Sequence, residues 1–499
     1  MKKYPMFFVS DTSQSAEISR AVKASHVRKI GPRLYTSNMA DDPAQLVRQN
    51  LWQIVSLLFP GAVVSNRSAI ENKISPAGKL YITAESARTV QLPGLEVVVL
   101  KGKPPLHDWD SPMFNYFIAC RERAYLENLA PTKQKGEESK NLERSELEDR
   151  LILIFKSGGD CGFNRFRDRA REVAALLGFG IEGKKLDALV GAIQGTKEAH
   201  LRSPLSRAYN AGEGYDPEAA ERFANLRAVL ADTVFMDRPS SIVDSQRFYN
   251  IAFFDAYFSN FIEGTEFEVK EALEIVESGT VPPDRPADGH DILGTYRVVG
   301  NIGEMTAIPK DYDSFIEMLT RRHSIILEGR PDKQPGRFKE KANQAGMTRF
   351  VDPGLVRGTL RQGFEFYRGL EHPFARAVAM MFLVAEVHPF NDGNGRVARA
   401  MMNAELIAGG MTRIIIPSVF RGEYLSGLRR MSSASDPSSF IRQMEYAQMF
   451  ISRIDFGDKD QVIAILKECN AFEKPESNVR LKMPVEVTAE HLFIELSPE

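Results

Sequence analysis

Residues 375–387, ARAVAMMFLVAEV, are apolar almost all the way round, and a helix of that composition has to be buried. It runs straight into His388-Pro389-Phe390-Asn391-Asp392-Gly393-Asn394-Gly395-Arg396-Val397-Ala398-Arg399, and a second helical pattern extends from Arg396 to Ala408. Whatever else the chain does, it must build a core around a helix, a polar loop and another helix. Within the loop, Asp392, Gly393, Asn394 and Gly395 can turn the chain through positive φ and leave successive backbone N–H groups pointing into one concavity. That concavity opens at a helix N-terminus, where the macrodipole also favours an anion, so a phosphate suits it.

The remaining residue types each suit a polyphosphate. Arg396 and Arg399 are spaced i, i+3, share a helix face and can reach neighbouring phosphate oxygens. Asp392 is a hard oxygen ligand suited to Mg²⁺, which takes one or two carboxylates plus substrate phosphates. His388 titrates near neutrality and can deprotonate an attacking hydroxyl. A lone histidine at a helix end, or D-G-N-G by itself, is ordinary structure; their joint order points to nucleotidyl or phosphoryl transfer.

These residues match H-P-F-x-[DE]-G-N-G-R-x-x-R, and in them the chain resembles the Fic-domain family, whose usual activity is transfer of AMP from ATP to a protein hydroxyl. The resemblance implies that His388 is the general base and Asp392 the Mg²⁺ ligand. It further implies that Gly393, Asn394 and Gly395 form the anion nest, that Arg396 and Arg399 bind phosphates, and that Phe390 anchors the loop in the core. ATP would be the substrate, and the partner a protein with a Ser, Thr or Tyr hydroxyl, this chain included.

Upstream, Ser259-Asn260-Phe261-Ile262-Glu263-Gly264 ends an apolar helix expected over 247–264 and resembles the [ST]-x-x-x-E-[GN] inhibitory motif of many Fic proteins. In those relatives the glutamate pairs with the second signature arginine, here Arg399. Ser259, Glu263 and Gly264 are therefore the expected regulatory residues: a carboxylate on Arg399 takes the place of a phosphate. Pro335-Gly336-Arg337-Phe338 followed by 346–351 resembles the family's flap, a hairpin that holds the target segment as an added strand. Arg421 to Tyr424, Leu428, Asp436, Phe440 and Ile441 fit its closing helices and the adenine side of the pocket.

At 499 residues the chain is too long for one ordinary core. A formal net charge of −2 points to no bulk polyanion partner. No apolar run reaches the ~18 residues a membrane span needs, and the start is too short in apolar residues for a signal segment, so a cytoplasmic protein is expected. Cys120, Cys161 and Cys469 are too far apart for a disulfide framework or a zinc site.

The N-terminal part is read as an α/β module. A helix at Ser15–Ser25 leads into the basic segment Val27 to Tyr35, which reads as a helix feeding the wing of a winged helix. Together with the turn-and-strand phrases at 59–69 and 92–100, this resembles antitoxin-type regulators of abortive-infection systems (AbiEi type) over residues 1–230. DNA is the partner that resemblance implies. Gly178-Phe179-Gly180-Ile181-Glu182-Gly183 satisfies G-x-G-x-x-G but follows a helical pattern, so it reads as a helix C-cap and turn.

The expected fold class is multidomain: a mainly α-helical Fic core with a β-hairpin flap, preceded by an α/β winged-helix-like module. The expected divisions are 1–131 for the regulator-like module, 132–232 for its helical extension, 233–455 for the Fic domain and 456–499 for a tail with a strand at 479–487. Removal of AMP, or transfer of another nucleotidyl or phosphoryl group, stays open at the same site. So does a DNA-binding regulator whose Fic core senses nucleotide, and so does an oligomer.

Overall fold

The computed structural model describes residues 4–11, 13–132, 138–240, 244–346 and 348–484. Contacts divide the chain into two units, residues 1–212 and 213–499.

In the first unit, β1 (Phe7–Val9), β2 (Arg28–Gly31) and β3 (Leu34–Thr36) form an antiparallel sheet in the order β1-β3-β2, with α1 (Ser15–Lys23) inserted after β1. Among the described residues one helix, rather than a helix-turn-helix, precedes the basic hairpin. Its turn places Arg33 at φ 61. After α2 (Pro43–Gln49) and α3 (Leu51–Leu58), a six-stranded mixed sheet is built from β4 (Val63–Val64), β5 (Lys79–Ala84), β6 (Arg88–Leu92), β7 (Leu95–Lys101), β8 (Ser111–Met113) and β9 (Tyr116–Ile118). The β-branched runs of β5 and β7 pair in parallel, and Gly94 at φ 68 makes the tight β6–β7 turn. Leu46, Ile54, Leu80, Ile82 and Val97 bury the face between sheet and helices. α4 (Asn66–Glu71) lies between β4 and β5, and α5 (Arg121–Leu129), α6 (Arg144–Leu177), α7 (Gly180–Ile193) and α8 (Pro204–Asn210) complete the unit. Gly178 caps α6 at φ 75, as its motif suggested, while Gly180 and Gly183 lie in the first turn of α7 instead of a turn.

The second unit starts earlier than the sequence suggested. α9 (Pro217–Asp232) turns Phe223, Leu226 and Leu230 inward and packs on α15 (Val356–Arg368) and α16 (Pro373–Val387). Its apolar stripe thus belongs to this unit's core, so the boundary lies at 212 and not at 232. Between them come α10 (Ser245–Ile262), α11 (Val269–Ser278), α12 (Pro286–Val299), α13 (Ile302–Thr306) and α14 (Tyr312–Ile326). α17 (Asn394–Ala408), α18 (Arg421–Ala434), α19 (Ser438–Ile451) and α20 (Lys459–Glu468) follow α16. The flap is a hairpin of two-residue strands, β10 (Gln344–Ala345) and β11 (Thr348–Arg349); Pro335 to Phe338 contribute no strand to it.

α10 is buried nearly all round, and Phe254 and Phe258 share a core with Val462, Leu466, Cys469, Leu481 and Met483. The segment expected to be a separate tail therefore belongs to the same unit. The strand expected at 479–487 does not form through Met483, and residues 485–487 lie outside the described residues. Among the described residues no helix is long and apolar enough to cross a membrane, and Cys120, Cys161 and Cys469 form no disulfide.

Candidate active site

α16 and α17 are held at the centre of the second unit by apolar side chains on every face of α16, as its sequence required. The chain leaves α16 at His388 with φ 50 and re-enters helix at Gly393 with φ 71, both left-handed. The cost of holding a non-glycine residue in the left-handed region falls on His388, and such cost is typically tolerated where function fixes the position.

Two clasps keep the loop between them in shape. Asn394 receives the Phe390 N–H on Oδ1 and returns Nδ2–H to the Phe390 carbonyl, both at 2.9 Å. From α14, His323 accepts the Gly336 N–H at Nδ1 (2.9 Å), which leaves Nε2–H to donate to the Asp392 carbonyl at 3.0 Å. The His323 ring also stacks on Phe390, 3.6 Å between centroids. Phe390 is fully buried, as its anchoring role required. Burial pushes the His323 pKa down to about 4, so this imidazole stays neutral and its tautomer is fixed by the two bonds.

His388 faces the other side of the loop. Its ring stacks on Phe350 at 3.7 Å and 7°, and the Ala385 carbonyl lies 3.4 Å from Nδ1. Burial, with Lys339 nearby adding to it, pushes its pKa down to about 4. A proton kept at Nδ1 by the Ala385 carbonyl leaves the Nε2 lone pair as the basic position. Lys339, itself buried, ties the start of the flap to the loop: its N–H donates to the Pro389 carbonyl at 2.8 Å and its ammonium to Asn343 Oδ1 at 2.6 Å. Burial lowers its pKa to about 8.

The two signature arginines are held differently. Arg399 Nε donates to Ser259 Oγ at 2.8 Å, and its terminal nitrogen donates to the Ser259 carbonyl at 2.8 Å and to Glu263 Oε1 at 2.6 Å. Ser259 and Glu263 thus meet Arg399 as their spacing at the end of α10 suggested, and Gly264, at φ 96, turns the chain away. Burial works against the Glu263 carboxylate, but Arg399, then Arg396 and His388, outweigh it and hold its pKa below the ordinary value. The fit against the glycine loop is close: a Cβ on Gly395 would come 2.1 Å from Glu263 Oε1. Arg396 instead meets Asp291 of α12, 2.5 Å between charged atoms, with Asp392 Oδ1 at 3.4 Å. Asp291 also receives Arg330 at 3.1 Å.

Asp392 is the one acidic side chain of the loop. Burial opposes its charge, yet Arg396, the Gly393 N–H, Lys333 and Arg330 together lower its pKa, so the carboxylate is ionised at neutral pH. Among the described residues no group of three His, Cys, Asp or Glu side chains gathers as a metal cage. A single ionised carboxylate just before the N-terminus of α17 fits Mg²⁺, which takes its other ligands from phosphates and water.

One cavity of about 380 Å³ lies beside the loop, and Asp392, Gly393, Asn394 and Arg396 are not among the residues that line it. Glu263, Gly395, Arg399 and His388 lie on it with Gly346, Thr348 and Phe350 of the flap and Arg421, Tyr424 and Leu428 of α18. Asp436 pairs with Arg430 at the surface and Phe440 and Ile441 are core, so these three do not line it. His323, Asp291 and Lys339 were missed in the sequence. Each comes from a segment remote from the loop, and no spacing relates it to the signature.

The chain is similar to proteins already known. The protein adenylyltransferase fic-1 of Caenorhabditis elegans is 25% identical over 245 residues, 48% of this chain and 48% of its own. The protein adenylyltransferase Fic of Drosophila yakuba is 28% identical over 218 residues, 41% of this chain and 43% of its own. The chain thus spans about half the length of the curated relatives it matches. A solved structure of Fic-1 from C. elegans aligns over 66% of this chain and 94% of that one, at 17% identity and a TM-score of 0.34. The family model described as Fic/DOC matches residues 314–406, which contain the whole loop from His388 to Arg399, and this part of the chain is a Fic domain.

Proposed function

We propose that this chain transfers AMP from ATP to a hydroxyl of a protein, and that the end of α10 holds it in check. The observation that carries the reading is that His388, Gly395 and Arg399 line one cavity, with Glu263 seated on Arg399 and Asp392 three residues before Gly395 in the same loop. His388, neutral at physiological pH, takes the proton of an incoming Ser, Thr or Tyr hydroxyl as its oxygen attacks the α-phosphorus. The nest amides and Arg399 orient the polyphosphate in line with that oxygen, which lowers the barrier mainly by positioning. Asp392 would hold Mg²⁺, whose charge offsets that of the departing pyrophosphate. The flap strands present open backbone edges on which an extended target segment can lie.

Glu263 opposes this. Its carboxylate neutralises Arg399 and lies against Gly395, where a terminal phosphate would otherwise meet both nest and guanidinium. The test is incorporation of α-phosphate-labelled ATP into protein in Mg²⁺ buffer with cell extract. Glu263→Gly is expected to label itself or a target much more than the native chain, and Glu263→Gly/His388→Ala not at all. Labelling by the double variant sinks the assignment of the base, and release of AMP from a pre-modified target by the native chain would favour removal as the physiological reaction.

A second reading concerns the first unit alone. Arg20, Lys23, Lys29 and Arg33 are exposed around α1 and the β2–β3 hairpin, and Arg20, Arg28 and Arg33 bond backbone carbonyls of Ala16, Asp41 and Ser10. That leaves a basic face suited to DNA phosphates. A sequence-selective gel shift that weakens with salt and is lost in Arg28→Ala/Arg33→Ala supports it; no shift at low salt dismisses it.

A further inference from the structure

Lys339 is a buried lysine that the proposed reaction does not use. The residue is 3% exposed, and its ammonium donates to two neutral oxygens, Asn343 Oδ1 at 2.6 Å and the Val387 carbonyl at 3.4 Å. Among the described residues no carboxylate bonds it. An ammonium kept in the interior on neutral partners is costly, and a methionine of similar length would fill the same space at less cost, so the position calls for the donors themselves.

The partners show what those donors hold. Lys339 reaches the Pro389 carbonyl through its backbone N–H and the Val387 carbonyl through its ammonium, and Asn343 Nδ2 donates to the Phe390 carbonyl at 3.0 Å. Three of the four carbonyls from Val387 to Phe390, on both sides of His388, are thus bonded from the single segment 339–343. That segment is the root of the flap. β10 starts at Gln344, and after the turn the Phe350 N–H comes back to the Asn343 carbonyl at 3.3 Å and its ring lies on His388. The imidazole has its own support in α16, where the His388 N–H donates to the Val384 carbonyl at 3.0 Å and the Ala385 carbonyl lies beside Nδ1. Lys339 and Asn343 therefore fix the flap to the base, not the base to its helix.

We propose that Lys339 and Asn343 are positioning residues that set the flap at a fixed offset from His388, so that a hydroxyl carried by an extended protein segment meets the base in register. The proposal rests on the transferase reading and on the flap as the seat of the target. Two acceptors then differ in what they need. Water reaches the α-phosphorus without lying on the flap: its oxygen attacks, the bond from the α-phosphorus to the bridging oxygen breaks, His388 takes the proton, and AMP and pyrophosphate leave. A protein hydroxyl comes by way of the flap, so loosening the root lowers transfer to protein and spares transfer to water. A misplacement of about 1 Å is enough to slow an orientation-dependent step about 10²-fold.

The full-length Glu263→Gly chain tests this when two products of α-phosphate-labelled ATP are followed in Mg²⁺ buffer: label in the protein of a cell extract and, without extract, free labelled AMP. Asn343→Ala and Lys339→Met, the second of which keeps the backbone N–H, are each expected to lower protein labelling by about 10²-fold, with AMP release within about fivefold of the parent. ATP affinity by calorimetry should stay within about twofold. Lys339→Arg, which keeps cationic donors on a long stem, should label within about tenfold of the parent. Parallel loss of both products, with ATP affinity and the unfolding midpoint falling alongside, means a merely structural role and overturns the proposal, as does labelling that survives both substitutions. A parent that labels protein and releases no AMP overturns it too, since water would then need the flap. A parent that does neither overturns the transferase reading instead, which keeps the two failures apart.

Discussion

Two histidines flank the same loop, each stacked on a phenylalanine and each held neutral by burial, yet their ring nitrogens are engaged in opposite ways. His323 lies on the core side, against Phe390, with both ring nitrogens committed to backbone groups of two different segments. His388 lies on the cavity side, against Phe350, with a carbonyl near Nδ1 and Nε2 left open. Neither pKa nor ring stacking tells them apart. What distinguishes a structural imidazole from a chemical one is whether a lone pair remains unspent on the side where substrate can enter.

The largest expected effects test that distinction directly. His388→Ala should reduce AMP transfer in the Glu263→Gly background by about 10³-fold, the range for loss of a general base, with the thermal midpoint nearly unchanged. His323→Leu should do the reverse in order of severity. It strands the Gly336 N–H and the Asp392 carbonyl in the interior, so a loss of about 2–4 kcal/mol in denaturant unfolding is expected, with activity falling because the loop moves. If His323→Leu leaves stability intact while abolishing transfer, the two roles have been exchanged.

The loop from His388 to Arg399 is legible in the sequence because its parts are contiguous: the turn, the helix start and the spaced arginines all declare themselves within twelve residues. Glu263 is legible for a similar reason, since it ends a helix and is followed by glycine. The groups that hold these parts are not. His323, Asp291 and Lys339 reach the loop from α14, α12 and the segment before the flap, and in the sequence each is one ionisable residue among many on a helix or loop. The same limit applies to α9. Its amphipathic pattern announces a helix, but which core its apolar stripe faces is a fact of tertiary packing, and the boundary moves with it.

The shared low pKa gives the next expected effect, in stability against pH. Each histidine has a folded-state pKa near 4 against the ordinary 6.5, so the unfolded chain takes up protons first as the solution is acidified. Stability is therefore fully present above about pH 6.5 and is lost as pH falls from there toward 4, by at most about 1.4 kcal/mol per histidine for each pH unit. Transfer activity, in contrast, should show no acid limb from His388 between pH 5 and 7, because the base is already in its neutral form. In His323→Leu and His388→Ala the slope of unfolding free energy against pH should each drop by one histidine's share. An unchanged slope in either variant would mean that its imidazole is already protonated in the fold.

The smallest effects come from the two phenylalanines, and they sharpen the comparison furthest. Phe390 is fully enclosed, between His323 and Phe338, so Phe390→Leu removes packed ring atoms and should cost about 1–2 kcal/mol. Phe350 is only half-buried and sits at the end of the flap, so Phe350→Leu should barely move the unfolding midpoint. Its effect belongs to the chemistry. With the stacked ring gone, His388 gains freedom about χ2 and some access to water, and transfer should slow by about two- to fivefold, the scale of a loosened but present base. The acid limb of the rate should then move up toward the ordinary histidine range. A Phe350→Leu variant that loses stability and keeps its rate would place that ring with Phe390, as part of the scaffold, and would leave the Ala385 carbonyl as what orients the base.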